Sequence, residues 1–174
     1  MDKKIFLQAC AFVMLMMILF SSGAGAFAPE HTGGVITEER WLERDGQKIY
    51  GRLYLPEKTD APLPLVILSH GLGSNHSKME PYAESFAENG CAAFAFDYIG
   101  GAGKSMSDGS MTDMSVLTEA EDLSCILDSF RSDGRFSAEE IFLFGGSQGG
   151  FISAYAAGKY PDEIAGLVLL YPAF

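Results

Sequence analysis

The chain has 174 residues, 48% of them apolar, and a formal net charge of −11. That length and composition suit one domain with a real core and exclude a disordered chain. Lys and Arg are few and scattered, so no nucleic-acid footprint is visible, and the acidity reads as solubility.

Met1 to Lys4 is a short basic start, Ile5 to Phe20 carries no charge, and Ser21 to Ala26 is small and flexible in composition. This order predicts a signal peptide over 1–26, cleaved at Ala24-Gly25-Ala26, and with it secretion or a cell-envelope location. A retained membrane anchor is the alternative, but the uncharged run falls short of the ~20 residues a spanning helix needs. Leu7-Gln8-Ala9-Cys10 faintly resembles a lipoprotein box, with too little apolar chain before it. Residues 27–34 are expected to form a flexible leader. Cleavage would leave Cys91 and Cys125. An oxidising compartment permits a bond between them, yet two small buried hydrophobes is the simpler expectation.

Val35 to Arg44 and Gln47 to Leu55 predict two strands around Asp45-Gly46, a hairpin signal. Pro56 to Pro64 reads as a proline-punctuated loop. Leu65 to Leu68 is a continuous apolar run of the kind buried on both faces of a parallel sheet. Pro81 to Asn89 predicts a helix stopped by Gly90. Cys91 to Phe96 predicts a second buried strand. Thr112 to Arg131 predicts a longer helix ending near Gly134, with Val116, Leu117, Ala120, Leu123, Leu127 and Phe130 on one apolar face. Ile141 to Phe144 is a third buried strand, Gly150 to Tyr160 a helix ended by Pro161, and Leu167 to Leu170 a fourth strand. An opening antiparallel hairpin followed by alternating strands and helices is the α/β pattern. It implies a mostly parallel sheet with helices on both faces. Ligands then bind beyond the carboxyl ends of the strands, after Leu68, Phe96, Phe144 and Leu170.

After Phe144 stands Gly145-Gly146-Ser147-Gln148-Gly149-Gly150, leading into a helix. This is G-x-S-x-G in its required context, and Ser147 is the candidate nucleophile. The serine must sit on a sharp, strained turn. Small residues at Gly145 and Gly149, with Gly146 and Gly150 beside them, let strand and helix approach. The helix N-terminus then favours negative charge nearby. After Leu68 stands Ser69-His70-Gly71-Leu72-Gly73-Ser74-Asn75. The backbone N–H of Leu72 and that of Gln148 are the candidate oxyanion donors. Gly71 and Gly73 free the loop to turn. His70 is expected to brace this loop by hydrogen bonds rather than to act as general base. Gly103-Lys104-Ser105 mimics the end of a P-loop, but the required first glycine is Tyr98 and no helix follows at once, so nucleotide binding is not expected. Nothing points to a cofactor or a metal ion. His76, Met79 and Tyr82 stand near these loops, with lining, surface and core roles all open.

Four segments in order carry a resemblance: His70-Gly71-Leu72-Gly73; Asp97 through Gly103 to Ser105; Gly146 to Gly150; and Leu167 to Pro172. Over about Val35 to Phe174 the chain resembles the α/β-hydrolase superfamily. Within it, the chain looks most like the esterase and serine-aminopeptidase-like branch that includes feruloyl and cinnamoyl esterases. The resemblance implies a serine hydrolase acting on a small-molecule ester or acyl substrate. In such enzymes the triad runs serine, acid, histidine. Here His31, His70 and His76 all precede Ser147, and only Asp162 and Glu163 among acids follow it.

The expectation is therefore an N-terminal part of a hydrolase domain that stops before its acid and base, nearly inert by itself, with a bare apolar edge strand at its end. Two other readings stay open: an inactive truncated product or binding protein, and a serine peptidase of the same fold. Oligomeric state is left open.

Overall fold

The computed structural model describes residues 34–58 and 62–174. The 1–26 signal peptide and nearly all of the 27–34 leader lie outside the described residues. Strands β1 (Val35–Arg44) and β2 (Gln47–Pro56) form the expected hairpin, with Arg44 opposite Gln47. Asp45 (φ 52) and Gly46 (φ 77) both take the left-handed conformation that a two-residue turn between twisted strands demands.

Strand β3 (Leu63–Ser69) starts before the expected Leu65, and β2 runs through Pro56, so the expected 56–64 loop is shorter. Both prolines sit where a missing N–H is tolerated. Pro56 closes its strand, and Pro64 falls where the β3–β5 register shifts between Leu63 and Leu65. Helix α1 (Glu80–Glu88) has Pro81 in its first turn and Gly90 at φ 88 just beyond its end. A short 3₁₀ turn, His76–Lys78, precedes it, started by the Asn75 side chain, which accepts from the Ser77 N–H. Strand β4 is Ala92–Phe96. Helix α2 (Val116–Arg131) begins four residues after the expected Thr112. There Ser115 and Thr118 form a capping box that satisfies two otherwise orphaned N–H groups. Strand β5 (Phe136–Gly146) extends five residues earlier than its apolar run. Helix α3 (Gln148–Lys159) starts two residues before the expected Gly150, and β6 is Gly166–Leu170.

The sheet order is β1-β2-β4-β3-β5-β6, with β1, β2 and β4 paired antiparallel and the remaining pairs parallel. Alternation along each central strand builds two cores. Leu65, Ile67, Phe94, Phe96, Ile141 and Leu143 point toward α2 and α3, meeting Leu123, Ile126, Leu127, Phe130, Ile152 and Ala156. Val66, Leu68, Ala93, Ala95 and Phe144 point the other way, toward Met79, Ala83 and Ala87 at α1. Each such large side chain contributes ~1.5–3 kcal/mol on leaving water. The alanines of β4 leave room for α1 to lie close, while the phenylalanines on the opposite face fill the wider gap. β6 forms one edge of the described sheet, with Leu167 exposed and the rest half-buried.

One expectation fails in α2. Val116 and Leu117 are exposed, and Glu119 and Asp122 are buried in their place. The helix is turned so that its first two turns present carboxylates inward. This is tolerated because each carboxylate finds a donor, as described below. Cys91 and Cys125 are both free and half-buried, so neither is the fully buried hydrophobe expected.

Candidate active site

The β5–α3 junction is a turn held in a strained backbone state. Ser147 has φ 52 and ψ −121, a backbone state that L-residues avoid and that persists only where surrounding contacts impose it. Those contacts are visible. The Ser147 N–H donates to the Leu170 carbonyl at 3.0 Å, and its carbonyl accepts from Gly150, Phe151 and Ala173. A Cβ on Gly145 would lie 2.4 Å from the Gly149 carbonyl oxygen, and one on Gly149 would lie 2.3 Å from that of Ser69. Strand, helix and the end of β3 thus meet backbone to backbone, and only glycine fits at either position. Gly150 is close-packed too, its Cβ position 3.0 Å from Pro172. Gly146 is different: nothing comes nearer than the Tyr171 hydroxyl at 3.8 Å, so no steric demand holds glycine there. Ser147 itself is half-buried, outside the packed core. Gln148 opens α3, where a helix leaves its first N–H groups without intrahelical partners.

The loop after β3 crosses directly over this turn. A Cβ on Gly71 would lie 3.1 Å from Ser147 Cβ and 3.7 Å from its Oγ. Ser74 N–H donates to the Gly71 carbonyl at 3.1 Å, and Gly73, at φ 71, occupies the third position of that turn. Leu72 is therefore its second residue, and its side chain is 61% exposed. His70 is buried, with Nδ1 2.9 Å from the Gly71 carbonyl oxygen. A carbonyl only accepts, so Nδ1 carries the proton. Burial lowers the His70 pKa, favouring the neutral ring, and the ring stands edge-on to Tyr98 at 5.0 Å. The structure therefore gathers Gly71, Ser147 and Gly149 at one point, with His70 beneath the loop.

Three acids are buried in the fold, and composition alone gave none of them a task. Asp97, at the end of β4, is fully buried. It accepts from the His76 N–H at 2.6 Å, the His76 ring at 2.9 Å and the Met106 N–H at 2.7 Å. Hydrogen bonds from the His76 ring and from those two amides hold its pKa below the ordinary value despite burial. Asp97 thus ties the 70–78 loop to the 100–107 loop. Glu119 accepts from the Gln148 side-chain amide at 2.5 Å, and burial pushes its carboxyl up to about 7. Asp122 accepts from Arg44 Nε at 2.7 Å and from the Ile99 N–H at 2.8 Å. Burial pushes it up to about 6 against both donors. The signal for Asp97 was its place after a buried strand. Glu119 and Asp122 left none, because their partners lie far away in sequence. His76 is buried against Tyr50 (4.9 Å between ring centroids), Met79 is core, and Tyr82 is half-exposed over Phe144.

Comparison with known proteins places this fold. Human monoglyceride lipase is 30% identical over 131 residues, covering 75% of this chain and 41% of the lipase. The protein usf of Aquifex pyrophilus is 30% identical over 144 residues, covering 75% of this chain and 59% of usf. The chain thus spans less than two thirds of these relatives. Among solved structures, Est1E of Butyrivibrio proteoclasticus with bound ferulic acid superposes with a TM-score of 0.71. It shares 27% identity and covers 77% of this chain and 53% of Est1E. DcsB, in complex with its substrate analogue, gives 0.70 and 28%, covering 79% of this chain and 45% of DcsB. The architecture is that of part of an α/β-hydrolase fold. Residues 60–174, well over half the chain, match the hydrolase family described as serine aminopeptidase, S33, and the chain belongs to that family.

Proposed function

We propose that Ser147 is the nucleophile of a carboxylic-ester hydrolase that works through an acyl-enzyme. The observation that carries this reading is the backbone of Ser147 at φ 52 and ψ −121, imposed by the glycine contacts around it and leaving the side chain half-exposed under the Gly71 loop. Ser147 Oγ attacks the ester carbonyl. The N–H groups of Leu72 and Gln148 receive the oxyanion, each such donor being worth ~10²–10³ in rate. The alcohol leaves, and water then releases the acyl group. His70 braces the loop; its neutral, buried ring with Nδ1 committed to Gly71 supports that role over general base. Gly73 supports the turn that presents Leu72, and Gly145 and Gly149 make the elbow possible.

The imidazole that accepts the Ser147 proton is none of the three histidines here, and in this reading it comes from outside residues 1–174. Substrate class rests on the relatives: a lipase named for monoglycerides and Est1E, solved with ferulic acid bound, both support a small-molecule ester. Residues 1–26, read as a signal peptide, place the enzyme in the cell envelope or outside the cell. The test is turnover of a nitrophenyl ester by the 174-residue chain and by Ser147→Ala. A slow rate abolished by the substitution is expected. Turnover that survives Ser147→Ala ends the nucleophile reading. Brisk Ser147-dependent turnover keeps it but puts the base within 1–174.

The family description favours one rival, aminopeptidase action at the same serine. An aminoacyl nitroanilide cleaved faster than the ester would decide for it.

A further inference from the structure

We propose that the cavity between the oxyanion-side loop and the glycine-rich 100–105 loop is a subsite for an anionic group, a carboxylate or phosphate, carried by the substrate. This rests on the reading of Ser147 as nucleophile. The cavity measures about 440 Å³. Lys78 lines it from one loop and Lys104 from the other; Gly73, Ser74, Asn75 and Ser77 complete the first wall, and Ala102 and Gly103 the second. No carboxylate lines it. The chain as a whole carries −11, so a cavity with two lysines and no acid among its described lining residues is a local reversal of charge.

Arg40, Arg44, Arg52, Arg131 and Arg135 all sit in ion pairs, whereas none of Lys48, Lys58, Lys78, Lys104 and Lys159 has one among the described residues, so no carboxylate compensates the two lysines of this cavity. The two walls are also held at a fixed separation. Asn75 Nδ2 donates to the Lys104 carbonyl at 3.3 Å, while Asn75 Oδ1 accepts from the Ser77 hydroxyl at 2.6 Å. Asp97 clamps the same two segments from below through His76 and Met106. The site adjoins the reaction centre, since Gly73 follows Leu72 directly and Gly71 packs on Ser147. An ester that also bears an anion would span the two. Gly103 and Lys104, from the run too short of glycine for a nucleotide cradle, find their use here in one wall.

The test is titration of the 174-residue chain with acetate and with monomethyl succinate at low salt, followed by the backbone amide signals of residues 73–78 and 102–104. Saturable shifts are expected in both titrations, with monomethyl succinate binding more tightly because its ester reaches the oxyanion donors. Lys78→Ala and Lys104→Ala should each weaken binding about fivefold, the worth of one unit charge at ~4 Å in water. Added sodium chloride should weaken it further. Both lysines are exposed, so their loss should leave the melting temperature unchanged. Linear, unsaturated shifts, or binding indifferent to both lysines, would overturn the subsite. Equal affinity for acetate and the half-ester would overturn its assignment to substrate. Ser147→Ala should leave these affinities intact, so failure of the nucleophile reading shows separately, as turnover that survives that substitution.

Discussion

Replacing Gly149 by alanine would set a methyl carbon 2.3 Å from the Ser69 carbonyl oxygen and 2.4 Å from that of His70. Neither neighbour is a flexible side-chain end; both are backbone at the tip of the central strand β3. Reaching even a 3.0 Å contact requires α3 and that tip to part by about 0.7 Å. Overpacking of a tight contact costs ~1–3 kcal/mol, and a clash between two backbones belongs at the upper end. At ~2–4 °C per kcal/mol for a chain of this size, melting should fall by roughly 5–10 °C. Two alanine controls frame the result. Gly146→Ala meets nothing nearer than 3.8 Å and should be close to neutral. Gly158→Ala, inside α3 with nothing within 4 Å, should gain up to ~1 kcal/mol in helix propensity. Thermal and urea unfolding of the three variants provide the measurement. If Gly149→Ala melts with Gly146→Ala, the backbone crossing that forces the Ser147 turn does not exist as described.

Glu119→Gln should change the pH dependence of stability. The folded carboxyl, raised by burial to about 7 from an ordinary 4.5, binds its proton more tightly than the unfolded one. Native stability therefore falls as pH rises through 4.5 to 7, by up to ~3 kcal/mol. The glutamine variant still accepts from Gln148 and should lack that part of the slope; identical melting-versus-pH curves would refute it. Arg44→Ala strips the fully buried Asp122 of its cation and should cost about 3 kcal/mol at neutral pH, whereas the double variant Arg44→Met, Asp122→Leu should lose less. Asp97→Ala frees both loops it clamps. It should raise hydrogen exchange at the His76 and Met106 amides, and unchanged protection there would count against the clamp.

Much of this was readable one residue at a time. The apolar runs at Leu65 to Leu68 and Ile141 to Phe144 announce strands buried on both faces. Asp45-Gly46 announces its turn, and the glycines flanking Ser147 announce a close crossing. Each is a local property, because the period of the pattern or the absence of a Cβ constrains the chain wherever it folds. The elements whose ends were misplaced are those set by partners. α2 starts where Ser115 and Thr118 cap each other, and β3 begins early because the Leu63 N–H finds the Arg135 carbonyl.

The inward turn of Glu119 and Asp122 had no local signature at all. Helical spacing made Val116 and Leu117 the natural core residues, yet Arg44 from the first strand, the Ile99 amide and the Gln148 side chain together make two carboxylates cheaper to bury. The sequence by itself determined the order of strands and helices, the hairpin and the position of the turn at Ser147. Only the tertiary structure decided which glycines are sterically required, which acids are buried and which lysines line a shared cavity. Those depend on distances between segments remote in the chain, and no local pattern encodes such distances.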